Sequence, residues 1–391
     1  MTASNAPPHG ELAAGFPRAV TILTCEFDPF PGGIATYCTR MAQTLDAAGV
    51  VVDVICPAYP DLASATDPGS MPGDIFTRRL LGHHSIPAKA VPTMLRTLRG
   101  GGADKIVLAA DIRSVLFMHV TRRLHGRRYL AMVHGSEAAK FRPGSLLYRL
   151  VRGAYFGAER VNYNSQATRA IFHAAFGAPP EERVTYLGVD PGWFEEAPGP
   201  FDHPLLAQLP AGAQVVCSVG RIEPRKGHVE AVRALARMRD DMQTGELIYV
   251  VAGKPEEPAF AERIEAEARR LGVNAILAGR LSTDDIKRLY RRAACHVLLA
   301  QPMPGKVEGF GLVLAEAAAQ GCPSVATNEG GIPEVIAGCG ALVPAGDTPA
   351  AARAIQAYLS DAASRARASA ASRERARSFT WQRCADATFR R

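Results

Sequence analysis

Two Rossmann-like α/β domains facing each other across a cleft are predicted by three features of this 391-residue chain. Apolar runs of strand length alternate with helix-period segments throughout, the pattern of parallel α/β sheets. One plan, an apolar strand, a glycine-bearing loop and a helix, recurs in both halves without any residue-level repeat. The length also exceeds what one ordinary core serves, so two domains are the starting expectation. Such sheets bind ligands beyond the C-terminal ends of their strands.

Element by element, residues 1–17 are polar and proline-bearing, with no basic and apolar leader pattern, and are expected to form a disordered lead-in. The first strand is expected at 20–24, followed by a loop through Pro29-Phe30-Pro31-Gly32-Gly33 and a helix over 34–48. Further strands are expected at 51–55, 105–109, 128–133 and 160–164. Pro198, Gly199, Pro200, Pro210 and Gly212 mark the linker. Strands at 214–219, 247–252, 275–277, 296–299 and 323–326 build the second half, and a helical tail rich in Ala and Arg runs from Thr348 to about Ser378. The division is therefore 18–200, 201–375, and a tail helix over 376–391 containing Trp381.

Composition narrows the function. The chain is 47% hydrophobic, yet no apolar run reaches the roughly 18 residues of a membrane span. Its eight cysteines are scattered without a C-x-x-C pair, which points to reduced thiols in a cytosolic protein rather than zinc or disulfides. The net charge of +7 fits an anionic small molecule, an anionic membrane surface or nucleic acid. Nucleic acid is the weakest fit, because aromatics are only 7% and do not interleave with basic runs. Lys140, Arg142, Arg149 and Arg152 surround Leu146, Leu147, Leu150 and Val151 at helical spacing. That stretch reads either as an amphipathic helix packed on the first sheet, the favoured reading, or as a contact with anionic membrane.

The chemistry concentrates in the second half. Glu308-Gly309-Phe310-Gly311-Leu312-Val313-Leu314-Ala315-Glu316 carries two acids, two glycines and an apolar helix start. A helix starting near Phe310 would offer its N-terminal amides to phosphate and hold Glu316 about two turns inside. Alone, the pair reads equally well as a solvated helix. Gly220-Arg221-Ile222-Glu223-Pro224-Arg225-Lys226-Gly227 follows a strand, and Arg221 and Lys226 can converge on one diphosphate across a tight turn. Alone, that segment reads as a surface loop. Arg225 is expected to face solvent or to be structural. Asn328-Glu329-Gly330-Gly331-Ile332-Pro333-Glu334 adds a third glycine loop after a strand. It is the conjunction of these segments that points to a site for a nucleotide sugar.

Together with Gly321-Cys322-Pro323-Ser324-Val325, these segments resemble the GT-B glycosyltransferases, specifically glycosyltransferase family 4. In the first half, Gly32-Gly33-Ile34-Ala35, Val133-His134-Gly135-Ser136-Glu137, Asn164-Ser165 and Gly188-Val189-Asp190 look like further landmarks of that family. The resemblance implies a retaining transfer of a sugar from a nucleoside diphosphate to an acceptor hydroxyl, with no metal or other cofactor. It assigns Arg221 and Lys226 to the diphosphate, Glu308 to sugar hydroxyls, the amides of Phe310, Gly311 and Leu312 to sugar and phosphate, Glu316 to the ribose, and Gly220 and Gly309 to donor binding. His134 would approach the donor sugar, Gly32 and Gly33 would border phosphate and acceptor, and the base would lie near Gly253, Arg280 and Leu281. The resemblance favours a front-face mechanism, with no obligatory nucleophile among the side chains, over a covalent intermediate on Glu308, and it implies that the tail helix over 376–391 crosses back onto the first domain.

The chain also departs from the pattern. It reads Gly253-Lys254-Pro255 where the family often has Gly-x-Gly-Pro, and the loop over 300–307 lacks the usual Pro-Ser. Both changes bear on which donor binds. Val307-Glu308-Gly309-Phe310 and Gly188-Val189-Asp190 lean toward the GDP-mannose branch. The acceptor implied is a small molecule or a lipid-linked glycan. No Asp-x-Asp triplet occurs, against a metal-clamped diphosphate, and no G-x-G-x-x-G follows the first strand, against a nicotinamide enzyme. The competing readings are a sugar-nucleotide 2-epimerase of similar fold and a non-catalytic binding subunit.

Overall fold

In the computed structural model, residues 12–59, 75–135, 137, 140–238 and 246–390 are described. The chain forms two units. One comprises Met1–Gly188 with Trp381–Arg391, the other Val189–Thr380. The division falls before the proline-rich stretch expected to be the linker. Hydrogen bonds explain why: Gln320 Nε2 donates to the Glu195 carbonyl at 2.9 Å, and Arg288 Nη2 donates to that of Pro198, so this stretch is tied to the second unit.

The first unit is a seven-stranded sheet. Its strands are β1 (Ala19–Leu23), β2 (Val51–Pro57), β3 (Ile75–Leu81), β4 (Lys105–Ala109), β5 (Tyr129–Val133), β6 (Arg160–Tyr163) and β7 (Glu182–Val184). They lie in the order β3-β2-β1-β4-β5-β6-β7, all parallel. Strands covered on both faces need no polar alternation. Accordingly every residue of β4 and β5 is buried. The Lys105 ammonium is neutralised inside by Asp53 Oδ2 at 2.7 Å.

The second unit has β8 (Gln214–Val219), β9 (Leu247–Ala252), β10 (Asn274–Gly279), β11 (Cys295–Leu298), β12 (Ser324–Thr327) and β13 (Ala341–Val343). Their order is β10-β9-β8-β11-β12-β13, again all parallel. In both sheets the strand order reverses beside the first strand of the unit, at β1/β4 and at β8/β11. Beyond such a reversal the flanking loops part and leave a crevice.

The expected strands are present within one or two residues of their predicted ends. Missing from the expectation were β3, β7 and β13, all at sheet edges. An edge strand is covered less and carries no continuous apolar run; β3 includes Arg78 and Arg79. The tail is not one helix. Asp361 interrupts it with φ −112° and ψ 94°, and its carboxylate accepts the Ser364 amide to start a second helix over Ala362–Arg377. A third, Trp381–Phe389, lies in the first unit, where the rings of Trp381 and Tyr37 stand 6.4 Å apart.

The lead-in also differs from expectation. Ala13 donates its amide to the Ala48 carbonyl at 3.0 Å and Phe16 is buried, while residues 1–11 lie outside the described ones. All eight cysteines are free and buried. Among the described residues, no helix is long and apolar enough to cross a membrane.

Candidate active site

The loops of the second unit collect at the C-terminal ends of neighbouring strands. Gly220 and Arg221 follow β8, Gly253 follows β9, Arg280 and Leu281 follow β10, and 300–311 follow β11. Backbone bonds stitch them together. Gly220 donates to the Ala252 carbonyl at 2.9 Å, Gly253 to that of Gly279 at 2.7 Å, and Gln301 to that of Arg225 at 2.8 Å. Gly253 has φ +157°, and a Cβ there would stand 1.7 Å from the Gly220 carbonyl oxygen. No side chain fits that approach.

The Glu308 loop is held in the same way from its other side. Gly331 donates to the Glu308 carbonyl at 2.8 Å, and a Cβ on Gly331 would lie 2.2 Å from the Gly309 oxygen. Phe310 is buried and packs edge-on against Phe379 with centroids 5.3 Å apart, so its ring is an anchor and only its backbone faces the loop. The helix spans Leu312–Ala319 with Gly311 as N-cap. It therefore starts two residues later than expected, because Gly311 is in the left-handed conformation at φ +86°. Glu316 consequently lies in the second turn, half-buried, rather than two turns inside.

The central finding is a charge network across the β8/β11 crevice. Lys226 Nζ donates to Glu308 Oε2 at 2.6 Å, and Arg225 Nη1 donates to the same oxygen at 2.7 Å. Arg225 Nη2 also donates to Glu223 Oε1 at 2.8 Å. All four side chains are at most 12% exposed. Burial opposes ionisation of Glu308, but the Lys226 ammonium and the Arg225 guanidinium overcome it and hold the carboxyl down at about 2. Glu223 is likewise lowered against its burial by Arg225 and Arg221. Arg225 is raised by Glu308 and Glu223 despite burial.

Of the two readings open for Arg225, the structural one holds: it does not face solvent but braces both glutamates. The sequence offered a basic residue between Pro224 and Lys226; of its two partners Glu223 is two residues away and Glu308 is 83.

The network leaves specific valences open. Both cations bind Oε2 of Glu308, and Oε1 has no hydrogen-bond partner among the described residues. Lys226 spends one of its three donors there. Arg221 is 61% exposed, with Glu223 at 3.5 Å and Glu256 at 3.9 Å as loose partners. One acceptor oxygen beside mobile and fixed cations suits a hydroxyl next to a phosphate. Leu281 is buried and Arg280 exposed at the β10 end of the same row. Among the described residues, no cluster of three or more His, Cys, Asp or Glu could hold a metal ion.

Behind this row, Ser218 Oγ donates to the Val297 carbonyl at 2.6 Å, and the Tyr249 hydroxyl donates to Ser218 Oγ at 2.8 Å. His228 Nδ1 lies 3.3 Å from that hydroxyl. Burial pushes His228 down to about 4 and His296 to about 3, with Lys226 adding to both.

In the first unit, Gly32 is the N-cap and Gly33 the first residue of a helix over Gly33–Ala47, so both stand at its amide end as expected. His134 follows β5. Its Nε2 is 3.0 Å from the Ala110 carbonyl, and because a carbonyl only accepts, that nitrogen carries the proton. The Glu137 carboxylate accepts the His134 amide at 2.9 Å and the Gly135 amide at 2.7 Å, and Asn164 Nδ2 donates to the His134 carbonyl at 2.7 Å. Burial keeps the imidazole below its usual range although Glu137 pulls the other way. Ser136 lies outside the described residues.

Comparison with known proteins meets this geometry. A family model described as Glycosyl transferases group 1 matches residues 207–375, and one described as Glycosyltransferase Family 4 matches 31–193. Similar proteins include a GDP-mannose-dependent alpha-(1-6)-phosphatidylinositol monomannoside mannosyltransferase of Mycobacterium tuberculosis, 28% identical over 81% of this chain and 82% of its own length. A D-inositol 3-phosphate glycosyltransferase of Streptomyces bingchenggensis is 32% identical over 58% of this chain and 50% of its own. Among solved structures, Anabaena HepE in complex with UDP and glucose superposes with TM-score 0.74 at 20% identity, covering 93% and 95% of the two chains. WaaG, a glycosyltransferase involved in lipopolysaccharide biosynthesis, superposes at 0.67 with 18% identity, covering 94% and 99%.

Two Rossmann-like units, with a cation-and-carboxylate row at the strand ends of the second, define a nucleotide-sugar glycosyltransferase of GT-B fold. Within that class, the chain belongs to glycosyltransferase family 4, its two matched regions spanning most of the sequence. It is a hexosyltransferase.

Proposed function

We propose that this enzyme transfers a hexose with retention of anomeric configuration, without a metal, from a nucleoside diphosphate to an acceptor hydroxyl in cell-envelope, polysaccharide or glycoside synthesis. The observation that carries the reading is Glu308, whose Oε2 is clamped by Arg225 and Lys226 while Oε1 is open. In this reading Oε1 accepts a donor-sugar hydroxyl. The spare Lys226 donors and Arg221 take the diphosphate, and they gain most as the bond from anomeric carbon to phosphate oxygen breaks and charge builds on the leaving group. The acceptor oxygen then bonds to the anomeric carbon on that same face and loses its proton to the departing phosphate, so atoms and charge balance. A carboxylate stabilised at about 2 by two cations is a poor nucleophile, which favours the front-face route over a covalent one.

The remaining assignments follow the same line. Glu316 takes the ribose, the amides of Phe310, Gly311 and Leu312 the sugar and phosphate, and Gly253, Arg280 and Leu281 the base, with Gly220 and Gly309 also lining the donor. His134, Gly32 and Gly33 serve the sugar, phosphate and acceptor from the first unit. GDP-mannose is the favoured donor, supported by the Glu308 sequence context and by the donor named for the mycobacterial mannosyltransferase. A lipid-linked or small glycan acceptor is supported by the phosphatidylinositol mannoside that protein is named for. Free, buried thiols support a cytoplasmic setting, with the enzyme at the inner face of the membrane.

A thermal-shift panel of GDP-, UDP-, ADP- and TDP-sugars, followed by proton NMR of the product with and without EDTA, tests these points. The expectation is a selective shift with GDP-mannose and an anomeric configuration matching the donor's, unaffected by EDTA. Inverted product, loss of turnover in EDTA that added divalent metal restores, or a shift only with another nucleotide removes the corresponding element.

A further inference from the structure

Three loops of the first unit meet beyond the C-terminal ends of β1, β2 and β3 and bring four rings together. The Phe30 ring stacks on Tyr59, with centroids 5.8 Å apart and an interplanar angle of 17°, and lies 4.3 Å from the His83 ring. The His84 ring follows at 3.7 Å from His83. Phe30 and Tyr59 are half-buried, whereas His83 and His84 are exposed. This ledge is braced from behind. The Phe27 amide donates to the Tyr59 hydroxyl at 3.3 Å, and the His84 amide to the Cys25 carbonyl at 3.4 Å. Arg79 Nη1 donates to the carbonyls of Asp28 and Pro57 at 2.9 and 3.2 Å.

His84 is held in an uncommon conformation. Gly82 and Ser85 exchange both backbone hydrogen bonds, at 3.1 and 3.0 Å, so His83 and His84 form the turn between them. His84 has φ +54° and is the only non-glycine residue with positive φ among the described residues. A turn with positive φ at its third position ordinarily places Gly or Asn there. The backbone bonds of this turn make no use of an imidazole, and side chains kept in such conformations gather at functional sites.

The surroundings identify the ligand's chemistry. Glu26 Oε1 lies 3.6 Å from His84 Nδ1. A Cβ on Gly32 would stand 3.1 Å from Glu26 Oε2 and 3.3 Å from the Phe30 ring, so the ledge adjoins the Gly32-Gly33 loop directly. Partial burial holds both imidazoles below their usual range. Arg113, exposed at the rim, adds to this at His83, and His83 and then Arg113 add to it at His84. At neutral pH the exposed rings are therefore uncharged. A carboxylate among uncharged rings disfavours a phosphate on the ledge itself. It suits a sugar ring, whose C–H face meets the negative face of an aromatic ring while its hydroxyls reach the carboxylate and the imidazole nitrogens.

We propose that this ledge seats an uncharged carbohydrate ring of the acceptor, its C–H face on Phe30 and His83 and its hydroxyls on Glu26 and His84. The inference rests on the reading of an acceptor hydroxyl beside Gly32 and Gly33, and it deepens that reading by naming the part of the acceptor that is recognised: a stacked sugar ring, not a phosphate.

Saturation-transfer NMR of the full chain with methyl α-mannopyranoside, irradiating the aromatic protons, tests it. Transfer to the C–H protons of the pyranoside is expected, and inorganic phosphate at equal concentration should not displace the sugar. His83→Ala and Phe30→Leu should each weaken binding about three- to tenfold. His83 is exposed, so its variant reads binding even if Phe30→Leu unfolds. His84→Gly separates binding from structure: glycine takes positive φ without strain, so the melting temperature should hold or rise while pyranoside binding falls. Arg367→Ala, exposed on the Ala362–Arg377 helix of the other unit, should change neither. Absence of transfer to the parent overturns the proposal. So does displacement by phosphate, or parental binding by both His83→Ala and His84→Gly. Donor-induced thermal shifts are read on the same proteins. Shifts that persist without pyranoside binding remove the ledge alone, and pyranoside binding without any donor shift removes the donor reading alone.

Discussion

Arg225→Met removes the guanidinium that joins Glu308 to Glu223 while keeping much of the side-chain volume. Glu308 retains Lys226 at 2.6 Å, but Glu223, only 2% exposed, is left with Arg221 at 3.5 Å and Lys306 at 3.9 Å, both substantially exposed. Breaking a buried pair by deleting one partner costs about 3–5 kcal/mol, because a charge is stranded without compensation. The lower end applies here, since Glu308 keeps Lys226 and Glu223 keeps two looser cations. Holding the Glu308 carboxyl at about 2 rather than at an ordinary glutamate value is worth about 3 kcal/mol for Lys226 and Arg225 together, so the network carries energy of this order. For a unit of this size, about 3 kcal/mol lowers its melting temperature by roughly 6–12 °C.

Turnover should fall about 100-fold, as Glu308 loses one of the two donors that fix its Oε2. The acid limb of the activity profile should also move to higher pH, because the carboxyl rises toward its usual range. The decisive assay is a double-mutant cycle with Glu308→Gln, followed by calorimetry and by transfer from GDP-mannose. The double variant should recover stability relative to Arg225→Met, with coupling on the order of 1–3 kcal/mol, but not activity. An Arg225→Met protein with the melting point and turnover of the parent refutes the brace. A cycle that closes additively refutes the specific pairing.

Other outcomes follow from the same geometry. Lys226→Ala should lower kcat/KM by about 100-fold or more, yet cost less stability than Arg225→Met, since Glu308 keeps Arg225; near-normal transfer would remove Lys226 from the phosphate site. Gly331→Ala and Gly253→Ala should abolish donor-induced thermal shifts, because each Cβ must displace a backbone carbonyl of a site loop, and normal donor binding by isothermal titration would contradict that. His228 and His296 are depressed by burial to about 4 and about 3, whereas an unfolded histidine titrates near about 6.5. The unfolded chain therefore binds protons that the folded one refuses, and this stability, fully present above about pH 6.5, is lost as pH falls toward 4. Urea midpoints at pH 5 and pH 7 should differ in that sense, and His228→Gln should shrink the difference; a midpoint insensitive to pH in this window would contradict the buried neutral histidines.

Much of this molecule is determined by local sequence. Runs such as Gln214–Val219 and Leu247–Ala252 match their strands at both ends, because a strand covered on both faces must be apolar throughout. The glycine loops were legible for a related reason: a position such as Gly253 or Gly331, where another backbone passes too close for a Cβ, must be glycine whatever folds around it. Less was legible at the edges. β3, β7 and β13 carry weak patterns, and the start of the Glu308-side helix shifted because Gly311 takes a left-handed cap.

Only the tertiary structure decided how the charges sort. Along the chain, Arg221, Arg225 and Lys226 are three similar cations in one turn. The reversal of strand order at β8/β11 brings Glu308 across the crevice, burying Arg225 and Lys226 against it and leaving Arg221 exposed. The apolar residues of the 146–156 helix were sorted by their neighbours too, with Val151 and Ala154 buried and Leu146, Leu147 and Leu150 exposed. Helical spacing defines a stripe, but which side of it meets the sheet depends on what the rest of the chain places there. Strand identity and backbone crowding are short-range properties and can be read from sequence. Pairing among like charges and the facing of an amphipathic helix are set by neighbours many residues away, and these decide which cation braces the site and which remains open to the substrate.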